Sequence, residues 1–140
     1  MMEPFIFRIR DCYYIQASYP APAEHRHFAA HLVFALERPF TALVDGAPVE
    51  TAGIVIGSDI PHTILSETPA LVVFIDELTP MSRCVKHTLL QGAPWRMLDT
   101  AVSAKVGNRW RNVRMEAEAA VAAAETERLL GLQAEHASAE

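Results

Sequence analysis

The sequence predicts a mainly β protein, a small antiparallel β-barrel followed by C-terminal α-helices, and three observations carry that expectation. From Phe5 to about Pro80 the chain is a succession of short segments rich in Val, Ile, Leu, Phe and Tyr, bounded by Pro, Gly, Asp or Ser; this is the composition and punctuation of strands. No helical pattern lies between those segments, which argues for antiparallel strands joined by tight turns rather than a parallel α/β sheet. From about Leu98 to Leu132 the composition shifts to helix formers, Ala, Glu, Arg and Leu above all.

In chain order the candidate strands are PFIFRIR, CYYIQASY, HLVFALE, FTALVDG, GIVIGS, HTILSE and ALVVFIDEL, with turn signals at PAPAE, ERP, DGAP, SDIP and ETP. Residues 1–80 are expected to form the barrel, 81–97 a connection with turns, 98–132 a helical segment and 133–140 a polar tail, all within one domain. In the helical segment Val106, Trp110, Val113, Ala117, Val121 and Ala124 recur at spacings of three and four, which draws one apolar stripe. Gly107 is the expected break between two helices, and Gly131 the expected stop. The stripe has two readings: a helix packed on its own barrel, or a seam with a second copy of the chain. Different turns can serve each, and Trp110 is the anchor in both.

Composition limits the function. A chain of 140 residues with 51% apolar and 21% charged residues closes one hydrophobic core without staples. The net charge of −5 argues against direct nucleic-acid binding, which needs clustered cations; Arg109, Arg111 and Arg114 form only a small group. No apolar run approaches the ~20 residues of a membrane span, so no membrane partner and a cytoplasmic location are expected. Cys12 and Cys84 lack metal-type spacing and are expected as free thiols. No Ser or Cys has the setting of an activated nucleophile, Gly-rich phosphate loops are missing, and no catalytic residue is assigned. The carboxylates Asp45, Glu50, Asp59, Asp76 and Glu77 mostly sit at turn signals, where local hydrogen bonding is their usual role.

The remaining chemistry is in histidines. Four of the six are His25, His27 and His31, in EHRHFAAH, and His62, at the head of HTILSE. Side chains alternate faces along a strand, so His25, His27, His31 and Val33 share one face while Phe28, Leu32, Phe34 and Leu36 share the other. A pocket wall of His25, His27, His31, Val33 and His62 is therefore expected. The same four imidazoles are candidate ligands for a divalent transition metal, Zn, Ni, Fe or Mn. The opposite face is the more apolar one and could itself fill the barrel, leaving the histidines outside; a wall flanked by helices can equally be apolar on both sides. His87 and His136 are incidental.

His25-x-His27, then His31, then Asp45-Gly46, and later Gly57-Ser58-Asp59-Ile60-Pro61-His62 together resemble the two motifs of the cupin superfamily. That resemblance implies a jelly-roll barrel with a metal held by His25, His27, the residue at His31 and His62. It departs from the family pattern at His31, where a glutamate is usual, and at Arg38, Gly57 and Asp59. The run from Glu24 to Ile64, followed by LVVFIDELTP and a helical tail, is similar to the N-terminal effector-binding and dimerisation domain of AraC-type transcriptional regulators. This implies a small-molecule effector in the barrel, a homodimer through the C-terminal helix, and DNA binding through a helix-turn-helix module that this chain does not contain. The chain is then either a fragment of a longer regulator or a stand-alone relative of its sensor half. The competing expectation is a metal-dependent cupin enzyme of the dioxygenase or isomerase type.

Overall fold

The computed structural model describes residues 5–19 and 29–132, and over them the chain is mainly antiparallel β with helices at its C-terminal end. Eight strands are formed: β1 (Phe5–Ile9), β2 (Cys12–Tyr19), β3 (Ala30–Ala35), β4 (Phe40–Val44), β5 (Ala47–Thr51), β6 (Gly53–Ile56), β7 (His62–Ile75) and β8 (Trp95–Met97). Three α-helices follow or interleave with the last strands: α1 (Pro80–Val85), α2 (Thr100–Trp110) and α3 (Glu116–Leu130). The strand grammar of the first eighty residues thus becomes β1 to β7. The hairpin between β4 and β5 is closed by Asp45 and Gly46, both left-handed at φ 48° and 84°, the two-residue geometry for which Asp-Gly is suited.

The strands hydrogen-bond in the order β1-β2-β7-β3-β6-β8, with β4 joining β5 to β7. Strand β7 belongs to both sheets: His62–Leu65 pairs with β4, and Ala70–Ile75 lies between β2 and β3. At Glu67-Thr68-Pro69, where the sequence predicts a turn between two strands, the chain stays extended and bulges. Pairing with β2 slips between Ala17 and Tyr19, and Ser66 Oγ donates to Thr68 O at 2.6 Å. Pro69, which has no N–H, is tolerated at such an irregularity.

Two cores lie on either side of the larger sheet. Val33, Phe40, Ala42, Val44, Ile54, Ile56, Ile64, Ala70 and Val72 fill the space between the two sheets. On the outer face Phe7, Tyr14, Leu32, Phe34, Leu71 and Val73 pack against α2 and α3, with Trp110 completely buried between them. The Trp110 ring stacks on Tyr14 with centroids 4.8 Å apart, and its Nε1–H donates to Thr126 Oγ1 on α3 at 2.8 Å.

The region after β7 differs from expectation. The connection over 81–97 contains α1, a π-helical turn over Lys86–Leu90 and the short edge strand β8, which pairs with β6. Helix α1 is capped by Thr79, whose side chain accepts from Ser82 N. The helical segment breaks at 111–115, not at Gly107. Gly107 is buried within α2, where an added Cβ would lie 2.3 Å from the Ala35 carbonyl oxygen; glycine here serves close packing of helix on strand. The break is held instead by the buried Gln16 of β2, whose Nε2 donates to the carbonyls of Trp110 (3.0 Å) and Val113 (3.3 Å). Arg114 Nη1 in turn donates to Gln16 Oε1 at 3.0 Å. Gly131, left-handed at φ 75°, closes α3. Among the described residues no helix is long and apolar enough to cross a membrane.

Candidate functional site

Strand β3 is buried on both faces, so apolarity alone cannot say which face lines the barrel. The helices decide it. Leu32, Phe34 and Leu36 are covered by α2 and α3, and the His31, Val33 and Ala35 face turns to the space between the sheets. His31 enters from β3 and His62 from the first residue of β7, where it opposes Val44 of β4. The bend in β7 brings its two ends to one place: His62 and Phe74 both contact the His31 ring, at centroid distances of 4.7 and 4.8 Å. Both histidines are buried, at 2% and 3% exposure.

Their hydrogen bonds orient the rings. His31 Nδ1 lies 3.0 Å from the Ala29 carbonyl oxygen and His62 Nδ1 lies 2.8 Å from that of Ile60. A carbonyl oxygen can only accept, so each Nδ1 is the protonated nitrogen and donates. Each Nε2 then presents a lone pair, and the two Nε2 atoms face one another at 3.1 Å. Two lone pairs at that distance repel unless they share a proton or a cation. For a metal–nitrogen bond of ~2.0–2.1 Å, two ligands at octahedral to tetrahedral angles lie roughly 2.8–3.4 Å apart. The pair therefore fits two positions of a first-row divalent ion. The Nδ1–H donated to a backbone carbonyl is the outer-shell arrangement that fixes imidazole ligands.

Two donors alone do not close a metal site, and no group of three or more His, Cys, Asp or Glu side chains suited to a metal occurs among the described residues. His25 and His27, expected as further ligands and pocket residues, lie outside the described residues. Of the expected pocket wall the structure brings His31 and His62 together, and places Val33 two residues along β3 on the same face as His31.

Two neighbours were missed by sequence reasoning. Phe74 touches His31, and Trp95 packs at the rim of the same interior cluster. Phe74 was findable by setting ALVVFIDEL antiparallel to HLVFALE; Trp95 sits on a three-residue strand with no alternation to detect. Tyr13 and Tyr14 separate by alternation: Tyr14 stacks on Trp110 under the helices, whereas Tyr13 opposes Phe74 on the barrel side.

On the helix side Cys12, Tyr14, Leu32, Ile75, Thr126 and Leu130 help to line a void of about 10 Å³, room for a single water. Burial, with the nearby charges of Glu127 and Asp11, pushes the Cys12 thiol up to about 12, and burial likewise raises the Tyr14 hydroxyl. Neither is a reactive group at neutral pH. No disulfide joins Cys12 and Cys84.

The expected dimer stripe divides. Val106 and Trp110 of α2, and Val113 in the joint that follows, are buried in the chain's own core and so cannot also face a partner. Ala117, Val121 and Ala124 lie on the outward face of α3, with Val121 52% exposed.

No family model matches the chain, and neither does any curated protein. Solved structures do match. A protein from Neisseria meningitidis, NMB1881, aligns with 16% identity and a TM-score of 0.47 over 53% of this chain and 84% of its own. An RmlC-like cupin from Shewanella frigidimarina aligns with 17% identity and a TM-score of 0.39 over 46% of this chain and 63% of its own. The DMSP lyase DddQ from Ruegeria pomeroyi aligns with 21% identity and a TM-score of 0.39 over 48% of this chain and 38% of its own. The chain thus spans less than two thirds of the last two.

Proposed function

We propose that this chain is a small-molecule-binding barrel domain whose pocket is built on the His31–His62 pair, and that it serves as the sensing and dimerising part of an AraC-type transcriptional regulator. The observation that carries the reading is the convergence of two buried imidazoles on the inner face of the barrel, each held by a backbone carbonyl. Buried polar side chains whose nitrogens point into an otherwise apolar interior are what orient a ligand in such pockets. The outward face of α3, with Ala117, Val121 and Ala124, is the surface assigned to the second copy. DNA contact is assigned to a module outside this chain, and the cellular location to the cytoplasm.

The 3.1 Å separation of the two Nε2 atoms favours a second reading, a metal-dependent cupin enzyme. His31 and His62 would hold two positions of a Zn, Ni, Fe or Mn ion, with His25 and His27 as the further ligands. A metal bound there supplies a Lewis acid that polarises substrate or water. The chain's own part is to fix both rings through Ala29 O and Ile60 O and to keep the site dry with Val33, Ile56 and Phe74.

Titration with cobalt(II) tests the site common to both readings. Binding is expected, and His62→Ala is expected to weaken it by more than the roughly 10–100-fold that loss of an outer-shell partner costs. Equal cobalt affinity in wild type and His62→Ala sinks the site. For the regulatory reading, light scattering at micromolar concentration is expected to show a dimer that Val121→Glu dissociates; a monomer in the wild type counts against it.

A further inference from the structure

The strand pairings set six side chains in one line. Directly opposed residues of antiparallel strands point to the same face, and Arg8–Tyr13, Tyr13–Phe74, Phe74–His31, His31–Ile56 and Ile56–Trp95 are all directly opposed. The line crosses β1, β2, β7, β3, β6 and β8 on the face that turns away from the helices. It also runs from closed to open. His31 and Ile56 are buried, Phe74 is half-buried, Tyr13 is 45% exposed, and Arg8 is exposed.

Charge completes the pattern. The Arg8 guanidinium sits over the Tyr13 ring, 5.6 Å from its centroid. Arg10, Lys86 and Arg109 are each paired with a glutamate, whereas Arg8 forms no ion pair among the described residues. The line therefore presents an aromatic surface with imidazoles at its deep end and one uncompensated cation at its open end.

We propose that this line is the binding track for a small monocarboxylate with a flat, apolar body. The carboxylate meets Arg8, the body lies along Tyr13 and Phe74, and the far end reaches the His31–His62 pair. Adjacent strands are about 4.8 Å apart, so Tyr13 and His31 are separated by roughly 10 Å. That is the length of a phenyl ring with a short acid chain. A guanidinium matches a carboxylate with two parallel hydrogen bonds, a cationic ligand would be repelled, and a phosphate dianion would call for more than one cation. A sugar would need several polar partners; along this line the polar groups are the Tyr13 hydroxyl, the imidazole and the guanidinium. The inference rests on the reading of the histidine pair as the deep end of the pocket.

Isothermal titration with sodium phenylacetate and 3-phenylpropionate, beside their neutral amides and inorganic phosphate, tests it. At least one acid is expected to bind at least about tenfold more tightly than its amide, the size of one lost hydrogen bond to a charged group, with phosphate unable to compete. Arg8→Gln is expected to erase the acid-to-amide ratio, and Tyr13→Leu to weaken acid and amide together. Arg8 and Tyr13 are exposed, so neither change threatens the fold. Equal binding of acid and amide, a ratio that survives Arg8→Gln, or no binding of either acid overturns the proposal. Cobalt titration of the same Arg8→Gln protein keeps the two ideas apart. Unchanged cobalt binding with no carboxylate binding leaves the histidine site standing and removes the track; loss of cobalt binding in the wild type removes the deep end itself.

Discussion

At His31 and His62 the Nδ1 nitrogens are spent on backbone carbonyls and the Nε2 nitrogens are turned on one another. That division of roles follows from where the residues sit. Each histidine follows by two residues the carbonyl that it binds, in chain just entering a strand, so local geometry fixes the ring before any ligand arrives. His31 and His62 were legible as partners because strand alternation and the spacing of the two motifs pointed to them. The interior face was not legible, because Leu32 and Phe34 are as buried as Val33. A period of two reports which residues share a face, and it cannot say which face is covered by helices.

Cys12 gives a prediction at the same scale. Burial holds its thiol protonated in the folded chain up to about 12, against an ordinary value of 9.0. An unfolded chain releases that proton first, so the folded state binds more protons between pH 9 and 12 and its stability falls as pH rises through that window. The raised Tyr14 hydroxyl acts in the same direction. Urea midpoints measured across this window are expected to decline, and to decline less steeply in Cys12→Ala. A thiol-specific alkylating reagent at pH 8 is expected to leave Cys12 unmodified in the folded protein; rapid labelling there would contradict its burial.

Among the elements, the joint between α2 and α3 shows how one side chain shapes a backbone. Gln16 belongs to β2 yet donates to two carbonyls at the interrupted helix end, and Arg114 donates to its Oε1 while lying over the Phe5 ring. Gln16→Leu is expected to cost about 1–3 kcal/mol, because the amide's hydrogen bonds to both carbonyls and to Arg114 are lost together, leaving only Val113 N on the Trp110 carbonyl and Arg114 Nη1 on that of Val113; chemical denaturation measures it. Gly107→Ala is expected to cost about 1–3 kcal/mol for a different reason, overpacking against the Ala35 carbonyl, which as backbone has little room to yield. A neutral Gly107→Ala would show that α2 slides freely on β3. This is also why the predicted helix break was misplaced: glycine signals both a break and a close approach, and the sequence pattern does not distinguish them. Strand β8 and the π-helical turn were missed because three- and five-residue elements are too short to establish a period.

The whole molecule is two packed spaces sharing one wall. The barrel interior lies on one side of the larger sheet and the helices on the other, with Trp110 closing the helix side. Trp110→Ala is expected to cost about 3–5 kcal/mol, as large buried aromatics do, and to lower the thermal midpoint without altering cobalt binding if the two spaces are energetically separate.

Strand β2 is where that separation is decided. Tyr13 faces the barrel side and its neighbours Tyr14 and Gln16 hold Trp110 and the α2–α3 joint on the other. A rigid strand cannot shift one row of side chains and leave the alternate row in place. Whatever part of a ligand's binding free energy depends on the position of Tyr13 is coupled through β2 to the helix side, and linkage makes that coupling reciprocal. A partner that grips α3 more firmly when the barrel is filled must raise the barrel's affinity for its ligand by the same factor.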